Sequence, residues 1–116
     1  MDARVEIIIY VMRQGLADQL SVGILSKQVN LSPARLQQLF KRETGRSPVQ
    51  YLRSLRMQKA EQLLRSSFLS IKEIASRSGA GDVSHFARDF KKYFGLTPSG
   101  YRSHNQSSAL SLREHG

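Results

Sequence analysis

The chain has 116 residues, of which 40% are hydrophobic; this supplies one modest core or two small ones and excludes a large enzyme. Lysine and arginine number 18 against 9 aspartates and glutamates, a formal net charge of +9 that favours nucleic acid as partner, with an anionic membrane surface as the rival. The absence of cysteine excludes disulfides, thiolate metal sites and cysteine nucleophiles, and no long apolar run predicts a membrane span or a signal peptide. We therefore expect a cytoplasmic protein.

The beginning of the chain predicts two short helices. Apolar residues recur at helical spacing from Ala3 to about Arg13, and Gly15 ends this first helix. Ser21 is a typical cap for a second helix that carries Leu25 on its apolar side. Asn30 tolerates a left-handed backbone, so we expect it to form the turn that follows.

Two Ser-Pro pairs predict the next two helix starts, because serine caps a helix and proline fits its first position. The pair at 32–33 begins a helix over 32–44, which Gly45 ends. The pair at 47–48 begins a long helix that runs to about Arg65. This long helix has no internal proline or glycine, so we expect it to be stiff.

The chain then repeats itself. The string FKRETGRSPVQY at 40–51 returns as FKKYFGLTPSGY at 90–101, with Phe, Lys, Gly, Pro and Tyr in the same places. The helix that Ser70 caps is the counterpart of the one at Ser21, and Thr97-Pro98 is the counterpart of the second Ser-Pro pair. A short helix, a turn and a second helix therefore occur twice, which is typical of helix-turn-helix units that bind DNA at two places.

The second copy differs from the first in its turn. Gly79, Ala80 and Gly81 form it, and either Asp82 or Ser84 begins the following helix, which covers 82–94. No window shows period-two alternation, so the predicted fold is all-α. The predicted segments are an N-terminal helix with the first helix-turn-helix (1–46), a linker helix (47–66), the second helix-turn-helix with a closing helix (67–102) and a disordered, serine-rich tail (103–116).

Helical periodicity separates a buried and an outward side in the second helix of each unit. In 32–44 the buried side is Leu36, Leu39 and Phe40, and the outward side is Ala34, Gln37, Gln38 and Lys41. In 82–94 the buried side is Phe86, Phe90 and Phe94, and the outward side is Ser84, Ala87, Arg88 and Lys91. Small residues permit close approach to base edges, amides and guanidinium groups read them, and cations meet phosphate, so both outward sides are candidate DNA-reading faces.

The stretches LSPARLQQLFKRETGRSPVQYLRSLRM and LSIKEIASRSGAGDVSHFARDFKKYFGLTPSGYR resemble the AraC/XylS family of bacterial transcription regulators, over about Leu20 to Arg102. The resemblance implies seven helices of homeodomain-like type, with two helix-turn-helix units joined by a long helix. It also implies binding, as a monomer or dimer, to two successive major-groove segments of double-stranded DNA. Further implications are transcription regulation, most simply activation through RNA polymerase, and a sensor domain if the chain is a fragment of a longer regulator.

Carried over by position, the resemblance divides the outward residues into two roles. The base-reading set is Ala34, Gln37, Gln38, Val83, Ser84, Ala87 and Arg88. The phosphate-contacting set is Ser32, Arg35, Lys41, Arg42, Ser47, His85, Lys91 and Lys92. On the long helix, Arg53, Arg56 and Lys59 fit either DNA contact or an ordinary charged surface.

Two residues depart from the family's pattern. At Ala80 the family usually has an aromatic residue, so we expect a thinly packed, flexible turn in the second unit. Val83 stands where a polar residue is common and offers only an apolar contact, such as to a thymine methyl. These departures support an alternative function, a protein-interaction domain that keeps the fold while the second unit reads DNA weakly.

The remaining function classes are less favoured. No nucleophile elbow, phosphate-binding glycine loop or set of metal ligands at ligand spacing occurs, so we expect neither an enzyme nor a metal or cofactor. A membrane-surface binder would need a wide apolar helix face beyond the one that builds the core, and the sequence shows none. The leading hypothesis is sequence-specific DNA binding by a bacterial regulator associated with the nucleoid.

Overall fold

The computed structural model describes the backbone of residues 1–115 and the side chains of residues 1–106. Over residues 1–115 the secondary structure consists of seven helices without a strand, which confirms the predicted all-α fold class. In chain order the helices are α1 (Ala3–Gln14), α2 (Val22–Lys27), α3 (Pro33–Thr44), α4 (Pro48–Ser66), α5 (Ile71–Ser78), α6 (Val83–Phe94) and α7 (Pro98–His115).

The helix starts are those that the sequence predicted. The hydroxyls of Ser21, Ser32 and Ser70 accept hydrogen bonds from backbone N–H groups in the first turns of α2, α3 and α5, at 3.1–3.2 Å. At α6, where two residues were candidates, Asp82 is the cap: its Oδ1 accepts the backbone N–H of His85 at 2.8 Å. Each cap satisfies an N–H group that has no partner inside its helix.

Left-handed residues follow α3 and α6 and form the turn after α2, at positions that the sequence predicted. Gly45 follows α3 with φ 78° and Gly95 follows α6 with φ 80°, a backbone conformation that residues with a Cβ rarely adopt. Asn30, with φ 56°, is the one non-glycine residue among the described backbone with positive φ. Sequence-local signals therefore set most element boundaries.

The chain divides into two compact units, Met1–Arg56 and a second from Met57 onward, so that the boundary falls within α4. Each unit has a core of its own. In the first, α1 and α2 pack on α3, and the buried residues are Val5, Ile8, Met12, Leu25, Leu36, Leu39, Phe40, Leu52 and Leu55. In the second, α5 and α7 pack on α6, and the buried residues are Met57, Ala60, Leu64, Ile74, Ala75, Ala80, Phe86 and Phe90.

The closing helix differs from the prediction. A disordered tail was expected over 103–116, whereas α7 continues to His115; Gly116 lies outside the described residues. The stretch 101–115 contains neither proline nor glycine, and it includes alanine, leucine, arginine and glutamate, which favour helix. The polar composition that predicted disorder is therefore compatible with a continued helix.

Candidate nucleic-acid interface

The first helix-turn-helix consists of α2, a short turn and α3. Leu25 of α2 and Leu36 of α3 are both fully buried and hold the two helices together. Across the turn, the backbone N–H of Leu31 donates to the carbonyl of Ser26 at 3.1 Å, and Asn30 supplies the left-handed residue. This packing fixes which side of α3 is buried and therefore which side remains outward.

The second helix-turn-helix consists of α5, a turn and α6. Gly79 and Gly81 have positive φ, and between them Ala80 is 8% exposed and belongs to the second core. The backbone N–H of Ala80 donates to the carbonyl of Ala75 at 3.0 Å. The turn is thus held by a buried side chain and a hydrogen bond. That it is flexible because alanine replaces an aromatic residue stays a prediction.

The outward side of α3 carries the base-reading candidates of the first unit. These are Ala34, Gln37 and Gln38, and they are exposed, as is the phosphate candidate Lys41 on the same side. The opposite side, Leu36, Leu39 and Phe40, is buried. Small, amide and cationic groups therefore share one accessible surface of a single helix, the chemistry that base-edge and phosphate contact requires.

The outward side of α6 resembles the outward side of α3. Val83, Ser84, Arg88 and Lys91 are exposed, with Val83 at 40%, and Ala87 is half-buried. Phe86 and Phe90 on the other side are fully buried. Since an exposed Val83 is not needed for the core, its side chain is accessible for an apolar contact at the helix N-terminus.

The lysines and arginines that are expected to contact phosphate are accessible, whereas the serines of this set already accept hydrogen bonds from the backbone. Arg35, Lys41, Arg42, Lys91 and Lys92 are exposed; the last four lie in the final turns of α3 and α6, where the helix dipole favours positive charge. The Ser32 hydroxyl caps α3, and the Ser47 hydroxyl accepts the N–H of Gln50 at 3.2 Å while Gln50 Oε1 accepts the N–H of Ser47 at 3.1 Å. Each serine hydroxyl still has its own hydrogen to donate.

His85, another phosphate candidate, has a partner that the sequence analysis did not identify. Its Nε2 lies 3.2 Å from Oδ2 of Asp89, one turn further along α6. The spacing of four residues is the signal that would have found the pair. A carboxylate beside His85 opposes an approaching phosphate, so this part of α6 is less suited to phosphate than α3.

Two arginines, Arg56 and Arg102, form hydrogen bonds to distant backbone carbonyls; of these, the sequence left Arg56 open between DNA contact and an ordinary charged surface. Arg56 Nε donates to the carbonyl of Leu16 at 3.0 Å and Nη2 to that of Asp18 at 2.8 Å, and burial lowers the pKa of this guanidinium. Arg102 Nη1 similarly donates to the carbonyl of Leu69 at 2.7 Å. Each arginine holds the loop that precedes the helix-turn-helix of its own unit, and these hydrogen bonds favour a structural role for Arg56.

Two outward-facing helices, each the second helix of a helix-turn-helix, define a double helix-turn-helix protein. A family model described as a helix-turn-helix domain matches residues 25–104. The chain is 36% identical over 89 residues to the Msm operon regulatory protein of Streptococcus mutans, and 33% identical over 100 residues to the HTH-type transcriptional activator RhaS of Escherichia coli. These matches cover 77% and 86% of this chain but only 32% and 36% of the relatives, so the chain spans about a third of their length.

Solved structures agree. The C-terminal domain of the two-component response regulator yesN from Fusobacterium nucleatum superposes with a TM-score of 0.82 at 35% identity, covering 87% of this chain and 99% of that one. The DNA-binding domain of AdpA, in complex with a target DNA, superposes with a TM-score of 0.87 at 25% identity, covering 90% and 95%. The chain belongs to the AraC/XylS family of helix-turn-helix transcription regulators, a class of DNA-binding domain rather than of enzyme. Within residues 1–115, no helix is long and apolar enough to cross a membrane.

Proposed function

We propose that this chain binds double-stranded DNA in a sequence-specific manner, with α3 and α6 each lying in a major groove. The observation that carries this proposal is the matched outward sides of the two helices, which are accessible and rich in amide, guanidinium and ammonium groups. The likeness to the AdpA domain, solved on a target DNA, supports it. The net charge of +9 supplies the sequence-independent attraction.

The side chains divide into readers and anchors. Gln37 and Gln38 suit adenine, the Arg88 fork suits guanine, and Val83 suits a thymine methyl, while the small residues Ala34, Ser84 and Ala87 allow close approach. Phosphates are met by cations and hydroxyls, and these anchors are Ser32, Arg35, Lys41, Arg42, Ser47, His85, Lys91 and Lys92.

We further propose that DNA binding serves transcription regulation, most simply activation through contact with RNA polymerase. RhaS, one of the relatives, is named a transcriptional activator. The relatives are about three times as long as the matched region, and this leaves room for a sensor domain in a longer form of this regulator. Such a protein acts in the bacterial cytoplasm, at the nucleoid.

The alternative is an interaction domain whose second unit reads DNA weakly. The observation that favours it is Asp89, which places a carboxylate on α6 beside His85, whereas α3 has the apolar Leu39 at the matching position. A carboxylate repels phosphate, so the second unit has the weaker electrostatic hold.

Selection of duplexes from a random pool tests the proposal. We expect a motif with two recognition blocks about 10 base pairs apart, within roughly two turns of duplex. Arg88→Ala is expected to relax the preference at one base pair of one block and to reduce affinity by about 5- to 150-fold. Arg13→Ala, a change of an exposed arginine in α1 outside both reading helices, serves as the control and should leave the motif intact.

Insertion of 5 base pairs between the blocks then distinguishes DNA reading by both units from the alternative, an interaction domain whose second unit reads DNA weakly. If both units read DNA, the insertion moves one block to the other side of the duplex, and affinity falls nearly to that of a single block. Unchanged affinity would show that only one unit reads DNA and would favour the interaction domain. Failure to select any motif would refute sequence-specific binding.

A further inference from the structure

The first unit has a pocket beside its reading face. Four residues of α3 line it, Arg35, Gln38, Leu39 and Arg42, around a volume of about 140 Å³. Their spacing of three, four and seven residues places them on one stripe of the helix. We call this stripe the arginine pocket. It shares Gln38 with the reading face and lies next to Lys41 along the helix.

The chemistry of the arginine pocket suits an anion. Arg35 and Arg42 are exposed at its two ends, Gln38 offers an amide, and Leu39, at 7% exposure, forms an apolar floor. Neither guanidinium forms an ion pair with a carboxylate among residues 1–106. Guanidinium groups present planar forks that match the oxygens of a phosphate or carboxylate.

One carboxylate influences the pocket from α1. The pKa of Asp2 is lowered mainly by its hydrogen bond with the Arg4 side chain, and the positive charge of Arg42 contributes a smaller part. Asp2 is already held by Arg4, with Arg4 Nη2 3.1 Å from Asp2 Oδ2. Its charge is therefore compensated, and the pocket as a whole remains cationic.

The second unit has an acidic residue at the position that matches the arginine pocket. When Phe40 is matched to Phe90, the four pocket residues correspond to His85, Arg88, Asp89 and Lys92. Asp89 stands where the first unit has Leu39, and its carboxylate lies 3.2 Å from His85. The second unit thus carries its own carboxylate at this place, whereas the first has an apolar floor and leaves the position open.

We propose that the arginine pocket holds a single phosphate of the DNA backbone between Arg35 and Arg42, and that the first unit is therefore the stronger anchor. This inference rests on the proposed DNA binding. A duplex that engages Gln37 and Gln38 brings its backbone along the same helix, and this favours a nucleic-acid phosphate over a protein carboxylate. The second unit, in which the carboxylate of Asp89 lies beside His85, contributes base reading with less phosphate contact.

A salt titration of binding tests the pocket, with a mixed-sequence duplex of 30 base pairs as the probe. Each neutralised phosphate contributes about 0.9 to the slope of log affinity against log salt. If Arg35 and Arg42 share one phosphate, the double change should reduce the slope by about 0.9, with affinity reduced on the order of tenfold at 100 mM salt. Neither single change should reduce the slope by that full amount, because the remaining arginine still neutralises the phosphate. The matched double change His85→Gln with Lys92→Gln should reduce the slope less.

Two outcomes overturn the pocket while leaving DNA binding intact. A double change that reduces the slope by about 1.8, twice either single change, would mean two separate phosphate contacts. An unchanged slope in a chain that still binds DNA would mean that the pocket holds no phosphate and is open to a protein carboxylate instead. If the unchanged chain itself shows no salt-dependent binding, both the proposed function and the pocket fail.

Neutral phosphate analogues identify the contact directly. Methylphosphonate groups are placed one at a time along the selected duplex, and binding of each is measured. One position should weaken the unchanged chain but not the Arg35→Gln, Arg42→Gln double variant. Replacing both arginines by lysine should keep the slope and lose part of the affinity, because lysine keeps the charge without the planar fork. Equal weakening of both proteins at every position would refute the proposal.

Discussion

On one stripe of the second helix in each unit, α3 carries Arg35, Leu39 and Arg42, and α6 carries His85, Asp89 and Lys92 at the matching positions. The caps, the closing glycines and the buried phenylalanines are shared between the units, so the same fold supports both. The two stripes differ in charge where they meet the cores: Leu39 belongs to the first core, whereas its counterpart Asp89 is half-buried and lies beside His85. The comparison shows that the repeated units keep the same scaffold while their surfaces have diverged.

The cores differ as well. In the first unit Phe40 meets Tyr51 edge to face, with ring centroids 5.3 Å apart. In the second, Phe90 lies within 5.7 Å of three rings, those of Phe86, Phe94 and Tyr101. Aromatic pairs contribute beyond the area they bury, so the second core depends more on its central ring.

The largest expected effect is therefore in these rings. Phe90→Ala and Phe40→Ala should each cost about 3–5 kcal/mol of unfolding free energy, with Phe90→Ala at the upper end because it loses three ring contacts. Urea unfolding followed by amide signals assigned to each unit measures both changes. Tyr93→Ala, at 46% exposure, is the control and should cost far less. Equal losses from Phe40 and Phe90 would show that the ring cluster adds nothing beyond burial.

The next largest effect on the free energy of unfolding is expected from Arg56 and Arg102, which hold loops by hydrogen bonds. Arg56→Ala leaves the carbonyls of Leu16 and Asp18 without their donor, and Arg102→Ala does the same for Leu69. Each change should cost about 1–3 kcal/mol, confined to its own unit, because hydrogen bonds from a charged donor are lost. The exposed Arg53 is the control in the same measurement. Reduced DNA affinity without reduced stability after Arg56→Ala would instead indicate that Arg56 contacts DNA.

Much of the fold could be predicted because its signals are local. Ser32, Pro33 and Gly45 bound α3 by backbone rules that act within a few residues, and the repeat doubled the evidence by showing the same rules in α6. The continued α7 was missed because a polar helix and a disordered polar tail have similar composition. Arg56 was left open because its partners are some forty residues away in sequence.

The candidate site, like the fold, could be predicted only in part. Which residues of α3 and α6 are outward follows from helical period, and the structure leaves these side chains accessible as the pattern indicated. The roles assigned to them remain predictions. The arginine pocket was not predicted, because a pocket depends on how neighbouring side chains leave space between them. The pairing of His85 with Asp89 was open to prediction from its spacing but was overlooked.

The smallest expected effect makes the second unit more like the first. Asp89→Asn removes the carboxylate from α6 with little change of shape, and so releases His85 and removes a repulsion toward phosphate. Because the His85 side chain is 56% exposed, solvent screening limits the gain, and DNA affinity should rise only about two- to fivefold, with a slightly steeper salt dependence. Glu43→Gln in α3 is the matched control: it makes the same change of net charge at a half-buried position off the arginine pocket, and should alter affinity less. Fluorescence anisotropy with the selected duplex measures both. A loss of affinity after Asp89→Asn would mean that the carboxylate itself accepts a hydrogen bond from a base, most simply the amino group of cytosine, and Asp89 would then be a reader rather than the residue that weakens the second unit.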